Sequence, residues 1–243
     1  MASGPALILG CTGLVGSQIL STLRTGAGTP APIFSSIEIL ARRSPPSAPA
    51  DAPVLVKEFV EKDTSKWASH ISSLSPVPSV MFSGLATTRA AAGGFDKQYK
   101  LEHDLNVELA KAAKEAGTKT YVLISSGGAN PHSVFGYPRM KGEIEEHVKE
   151  LGFDHTIILR PGLIVGHREE SRPLEAVLRT IATGLGKVHS SLKDSFAQDA
   201  DVIAKAAISA AIKVEKGDVK DKVWILSQKD IIRLGASEWK TSS

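Results

Sequence analysis

Tyr137 and Lys141 stand four residues apart in Tyr137-Pro138-Arg139-Met140-Lys141, where a stretch of helical period begins. Four residues is about one helical turn, so a phenol and an ammonium share one face. An ammonium beside a phenol favours the phenolate and lowers a pKa that in water is about 10, which makes proton transfer possible near neutral pH. Upstream, the apolar run Thr120–Ser125 delivers Ser125-Ser126 to its end. Ser126 is the candidate hydroxyl partner of the pair. Ser125, the last residue of the run, is the adjacent alternative and is expected to be buried.

A second constellation, Gly10-Cys11-Thr12-Gly13-Leu14-Val15-Gly16, follows the first apolar run and opens the first helical segment. Glycine at the strand end allows a tight turn, the middle glycine lets a pyrophosphate approach the backbone, and the last lets helix pack on strand. Free N–H groups at the helix start then face the phosphates. Cys11 reads as a small neutral filler. The second apolar run, Ile37–Ala41, leads into Arg42-Arg43. At that place in a dinucleotide fold an acidic residue grips the ribose of NAD and an arginine grips the 2′-phosphate of NADP, so the pair favours NADP(H). Glu38 lies within the run and is expected to be an exposed strand residue.

These residues need a scaffold that gathers distant segments at one edge. Short apolar runs alternate with longer segments of helical period, the pattern of β-α-β units and a doubly wound parallel sheet. Strands are expected at Ala6–Leu9, Ile37–Ala41, Val54–Val56, Val80–Ser83, Thr120–Ser125, His155–Arg160 and Val223–Leu226. Helices are expected near Leu14–Leu23, Ser65–Leu74, Asp96–Ala116, Pro138–Leu151, Leu174–Thr183 and Asp201–Val214, with Asp96 as a cap and Gly117 as a stop. Gly26–Pro32 and Ser44–Pro53, rich in Pro, Ala, Ser and Gly, read as surface loops. All 243 residues are expected to form one α/β domain with a small substrate-side region from about Leu163 onward.

The G-x-x-G-x-x-G loop, the arginine pair, the Ser-Ser strand end and the Tyr-x-x-x-Lys helix, in that order, resemble the extended and atypical short-chain dehydrogenases/reductases, a Rossmann-fold superfamily. The resemblance implies that Tyr137 is the acid/base, that Lys141 lowers its pKa and holds the nicotinamide ribose, and that Ser126 binds a substrate carbonyl. It implies cofactor contacts from Gly10, Thr12, Gly13, Leu14, Val15 and Gly16, and from Arg42 and Arg43. Arg160-Pro161-Gly162 matches the superfamily's proline-glycine turn beside the nicotinamide, with Leu163 and Ile164 as apolar neighbours. Asp63, Leu85, Ala86 and Thr87 match positions that touch the adenine half. Ser125–Ala129, Tyr137–Glu143, Leu159–Gly162, Arg168–Pro173 and Thr87–Phe95 are similar to the fungal found-in-mitochondrial-proteome family, related to the human Tat-interacting short-chain dehydrogenase, over nearly the whole chain. That resemblance implies a peripheral protein of the mitochondrial outer membrane; a cytoplasmic location is the reading without it. Two departures stand out. Gly84–Thr87 replaces the orthodox asparagine-containing stretch, with Asn106 not obviously in the orthodox asparagine's place, and Pro138 puts Tyr137 at the helix edge.

Composition excludes other chemistry. Lys and Arg number 29 against 26 Asp and Glu, a net +3 with both signs interspersed, too mild for a nucleic-acid partner. One cysteine excludes an internal disulfide, and no Cys/His cluster offers a zinc site. No apolar run suffices to span a bilayer, because Arg160 and Pro161 break the best one, and Ala6–Leu9 begins too early to follow a cleavable presequence. Neither H-E-x-x-H nor G-x-S-x-G occurs. His132 reads as a solvated loop residue, the alternative being a place at the substrate mouth. Trp67, Trp224 and Trp239 read as packing residues. A small carbonyl compound is the expected substrate; the rival reading is a non-catalytic protein that responds to NADPH.

Overall fold

The computed structural model describes residues 4–26, 32–47, 52–165 and 197–239. In chain order the elements are β1 (Ala6–Leu9), α1 (Leu14–Thr25), β2 (Ile37–Ala41), β3 (Val56–Val60), α2 (Trp67–Ser73), β4 (Val80–Ser83), α3 (Arg89–Ala92), α4 (Phe95–Tyr99), α5 (Leu105–Ala116), β5 (Thr120–Ile124), α6 (Gly136–Glu150), β6 (His155–Leu159), β7 (Leu163–Val165), β8 (Ala197–Asp199), α7 (Ala200–Glu215), β9 (Val223–Leu226) and α8 (Gln228–Ile232).

A strand that is apolar along its whole length must be covered on both faces, and β1, β4 and β5 are buried throughout. They form the centre of a seven-stranded sheet, ordered β3-β2-β1-β4-β5-β6-β9, in which every pairing is parallel. The chain winds outward from β1 to β3 and then crosses back to β4, so the strand order reverses between β1 and β4. A crevice opens there at the carboxyl ends of the strands, the place where doubly wound sheets bind ligands. Alternate residues of β1 serve the two faces. Ala6 and Ile8 join a core with α1 and α7, whose Ala204, Ala207 and Ala211 are small enough for close helix packing. Leu7 and Leu9 join a second core with α2, α5 and α6. This architecture is the doubly wound Rossmann-like sheet that the alternating pattern predicts.

Several boundaries differ from the sequence reading. The third strand runs over Val56–Val60 rather than Val54–Val56, because β3 is an edge strand and tolerates Lys57 and Glu58 in its middle. Val54 is instead a buried loop residue. Glu38, expected to be exposed, is buried, since β3 covers it and Lys57 Nζ reaches its carboxylate at 3.2 Å. The long helix expected over Asp96–Ala116 is broken: α4 passes into a π turn at Lys100–Asp104, where Leu105 N–H bonds the Lys100 carbonyl, before α5 begins. Gly94, at φ +132°, stands at the N-cap of α4, and Asp96 lies in its first turn rather than capping it. Gly117, at φ +106°, does end α5. The parallel pair β7–β8 was not anticipated. The helix expected at Leu174–Thr183 lies outside the described residues.

Candidate functional site

Gly10 leaves β1 at φ +73°, and a Cβ there would stand 2.5 Å from the Gly84 carbonyl oxygen at the end of β4. The turn then brings Gly16 so close that its Cβ would lie 2.2 Å from the Gly10 carbonyl oxygen. These two glycines close the turn on the neighbouring strand. Gly13 differs: its φ is −90°, and an added Cβ would press only on the Gly10 oxygen, at 3.1 Å, with wider clearance elsewhere. Gly13 N–H donates to the Gly10 carbonyl at 2.8 Å and caps α1 without a side chain, and the first turn of α1 carries no acidic residue. The helix start thus keeps backbone donors for an anion, and the chemistry of the turn fits a pyrophosphate. Thr12 and Leu14 are half-buried beside it. Val15 is buried toward the core and offers only its backbone, and Cys11 is fully buried, its thiol pushed up to about 12 by burial.

Arg42 and Arg43 project, exposed, from the carboxyl end of β2. Asp63 follows β3 and is engaged locally. Its Oδ1 accepts from Ser65 N–H at 3.1 Å and Ser65 Oγ at 2.7 Å, which holds its carboxyl below the usual range. Leu85, Ala86 and Thr87 follow β4 and are held by side chains from the broken helix. Asn106, buried in α5, donates to the Leu85 carbonyl at 3.1 Å and the Glu102 carbonyl at 2.7 Å. Its Oδ1 accepts from Ser83 Oγ and, at 3.3 Å, from Tyr121 OH. Gln98 donates to the Thr87 carbonyl at 3.0 Å.

Ser126 is the second residue beyond β5, and Tyr137 and Lys141 lie one turn apart at the start of α6. Lys141 is 2% exposed, and its Nζ donates to the Ile124 carbonyl at 3.3 Å. The sequence reading missed what faces it. Glu102, fully buried in the π turn, places Oε2 3.7 Å from Lys141 Nζ. Its Oε1 accepts from Thr87 N–H at 2.9 Å and Gln98 Nε2 at 3.0 Å, while Oε2 has no hydrogen-bond partner among the described residues. Burial pushes the Lys141 ammonium down, and Glu102 and Glu145 push it back up. The Tyr137 phenol stands above its ordinary value, raised first by burial and then by Glu102, with Ser126 pulling it down. That corrects the expectation that Lys141 lowers it: in this structure the lysine's charge is answered by Glu102. Nothing in a helical Glu signals such burial, since Thr87 and Lys141 reach it from distant segments.

Ser125 is buried, as expected, and its Oγ donates to Glu145 Oε1 at 2.5 Å. Arg160 grips the same carboxylate, Nε to Oε1 at 3.1 Å and Nη2 to Oε2 at 2.5 Å. Glu145→Ala should therefore leave Arg160 and Ser125 unmatched. Breaking a buried pair costs about 3–5 kcal/mol, and the partial exposure of Arg160 puts the expected loss at about the lower end. Thermal unfolding should show Tm falling by several degrees; an unchanged Tm would mean the pair is energetically idle. After Arg160, Pro161 accepts from Gly127 N–H at 2.7 Å, and Gly162 N–H donates to Gln198 Oε1 at 3.1 Å. Leu163 is exposed and Ile164 half-buried in β7. His132 is exposed on its loop.

The structure thus gathers the glycine turn, Leu85–Thr87, Ser126, Tyr137, Lys141 and Pro161–Gly162 at the carboxyl edge of the central strands. Beside them opens a cavity of about 670 Å³ lined by Thr87, Thr88, Arg89, Phe95, Tyr137 and Arg139 among others. Of the three residues assigned to proton transfer and carbonyl binding, only Tyr137 lines it.

No protein-family model matches the chain. Curated relatives do: "Protein fmp52-1, mitochondrial" of Aspergillus terreus is 58% identical over 94% of this chain and 97% of its own. "Protein fmp52, mitochondrial" of Aspergillus fumigatus is 56% identical over 95% and 98%. Among solved structures, MoeE5 in complex with UDP-glucose and NAD has a TM-score of 0.63 at 16% identity, covering 97% of this chain and 82% of that one. The UDP-Glc/GlcNAc 4-epimerase of Campylobacter jejuni has a TM-score of 0.65 at 16% identity, covering 95% and 82%. These structural likenesses speak to the fold.

Proposed function

We propose that this chain, which belongs to the Fmp52 family, is an NADP(H)-binding atypical short-chain dehydrogenase/reductase that reduces a carbonyl compound. One observation carries the reading: Ser126, Tyr137 and Lys141 converge at the sheet edge that also carries the uncapped glycine turn. Structural neighbours solved with NAD, MoeE5 and the Bordetella bronchiseptica enzyme WbmH, support a pyridine nucleotide. In this reading the backbone of Gly10, Thr12, Gly13, Leu14, Val15 and Gly16 holds the pyrophosphate, and Arg42 and Arg43 take the 2′-phosphate. Asp63 and Leu85–Thr87 border the adenine half; Pro161, Gly162, Leu163 and Ile164 border the nicotinamide.

When bound, NADPH would supply a hydride for the carbonyl carbon. Ser126 donates a hydrogen bond to the carbonyl oxygen, and Tyr137 gives that oxygen its proton, which completes an alcohol; the phenolate then recovers a proton from water. A phenol held above its ordinary pKa stays protonated, as a donor must. Lys141 steadies the nicotinamide ribose. All 243 residues are taken as one domain whose substrate side is built from about Leu163 onward. The relatives' names support a mitochondrial place. No helix among the described residues is long and apolar enough to cross a membrane, which is compatible with peripheral attachment to the outer membrane. Kinship with the Tat-interacting dehydrogenase belongs to the same reading.

A second reading, an NADPH-responsive regulatory or scaffold protein without turnover, draws support from the Glu102–Lys141 contact, which leaves the lysine less free to assist a phenolate. Both readings share the cofactor. Charge-assisted contacts are worth about 1.5–3 kcal/mol each before desolvation losses. NADPH should therefore bind at least about tenfold more tightly than NADH, and the double change Arg42→Ala, Arg43→Ala should erase most of that difference. Calorimetric titration of both nucleotides checks this, and equal affinities in the parent protein would overturn the NADP assignment.

A further inference from the structure

The cavity beside Tyr137 is rich in donors of hydrogen bonds. None of its lining residues carries a carboxylate, whereas Arg89 and Arg139 both face it. The Arg89 side chain makes no hydrogen bond or ion pair among the described residues, and its carbonyl accepts from Gly94 N–H at 3.0 Å. Arg139 is steadied from one side only: Nε lies 3.8 Å from Glu143 Oε1, and Glu143 is itself fixed by Tyr99 OH, which donates to Oε2 at 2.9 Å. That contact engages Nε and leaves the two Nη groups of the fork for a ligand. Thr88 Oγ1 already accepts from Ala91 N–H, at 3.1 Å, so its hydroxyl hydrogen remains to be donated. Phe95 supplies an apolar wall, and it sits so close to Gly136 that a Cβ there would meet the ring at 2.8 Å.

Resting on the reductase reading, we propose that Arg89 and Arg139 form a clamp for an anionic group on the substrate. The substrate class is then a carbonyl compound that carries a carboxylate or phosphate, with its apolar body against Phe95 and its carbonyl at Tyr137. Two guanidinium groups match the oxygens of either anion, and the hydroxyl of Thr88 adds a further donor. Volumes of about 300–1,000 Å³ are usual for small-molecule sites, so the cavity is large enough for such a compound. Arg139 comes from α6, as Tyr137 does, so the helix that presents the proton donor also sets the distance to the clamp.

The probes are 4-oxo-4-phenylbutanoate, its uncharged carboxamide and 2-oxo-2-phenylethyl phosphate. Each is titrated calorimetrically into the protein with and without NADP+, and each is assayed separately for NADPH oxidation. At least one acid should bind about tenfold or more tightly than the amide, more weakly as salt rises. Arg89→Gln and Arg139→Gln should each remove most of that preference while NADPH affinity and Tm stay at parent values, with Arg139→Lys restoring part of it. Whichever acid leads identifies the anion as carboxylate or phosphate. If neither acid exceeds the amide, or if the preference survives both substitutions, the clamp is overturned. Acid-selective binding without turnover of any probe would uphold the clamp and count against the reductase reading. Turnover without acid preference would do the reverse.

Discussion

Tyr137→Phe should leave NADPH affinity close to the parent value and lower the rate of any carbonyl reduction by roughly 10²–10⁴, the contribution of a positioned general acid. The change removes a single oxygen from a residue that is 44% exposed, so the fold has little to lose. Lys141→Ala should behave differently. It empties a fully buried position and strands Glu102 opposite nothing, so nucleotide affinity, turnover and Tm should all fall. The parent's pH profile carries a second signature. A phenol raised above its ordinary value keeps its proton to higher pH, so reduction should decline only beyond the range where a free tyrosine ionises. Steady-state rates and nucleotide titrations on the two variants check the pair. If Tyr137→Phe reduces its substrate at the parent rate, the proton comes from elsewhere.

The glycine turn should divide cleanly under substitution. Gly16→Ala and Gly10→Ala should damage the fold itself, because their Cβ atoms would stand 2.2 and 2.5 Å from carbonyl oxygens that belong to the turn and to the end of β4. Gly10 adds the strain of a positive φ, about 1–2 kcal/mol for a residue with a side chain. Gly13→Val should instead yield a folded protein that no longer binds NADPH, since its backbone suits any residue and its side chain would occupy the approach of the pyrophosphate. Circular dichroism melts and nucleotide titration separate the two outcomes. A Gly13→Val protein that is folded and keeps its NADPH affinity would remove the pyrophosphate from this turn.

The strands legible in the sequence are those whose side chains are mainly apolar. Ala6–Leu9 and Val80–Ser83, buried along their whole length, and Val223–Leu226, an edge strand that keeps apolar side chains, have limits that agree with the structure. β3 escaped because an edge strand with Lys57 and Glu58 in its middle has the polarity of a loop. Glu38 was misread for the complementary reason: its burial depends on a neighbouring strand that its own segment does not announce. Among the candidate site residues, order along the chain was enough to place Ser126 after β5 and Tyr137 and Lys141 at the start of α6. It was not enough to predict Glu102, whose partners Thr87, Gln98 and Lys141 come from both sides of it in sequence. Arg139 was visible inside the Tyr-Pro-Arg-Met-Lys motif, but only the fold shows that it shares a cavity with Arg89.

Glu102 divides its two oxygens between separate territories. Oε1 fixes the backbone of Thr87, a wall of the cavity, while Oε2 looks toward Lys141, on the side proposed for the nicotinamide ribose. The two territories therefore share one anchor: taking away the Glu102 carboxylate would release the Thr87 backbone and the Lys141 ammonium together.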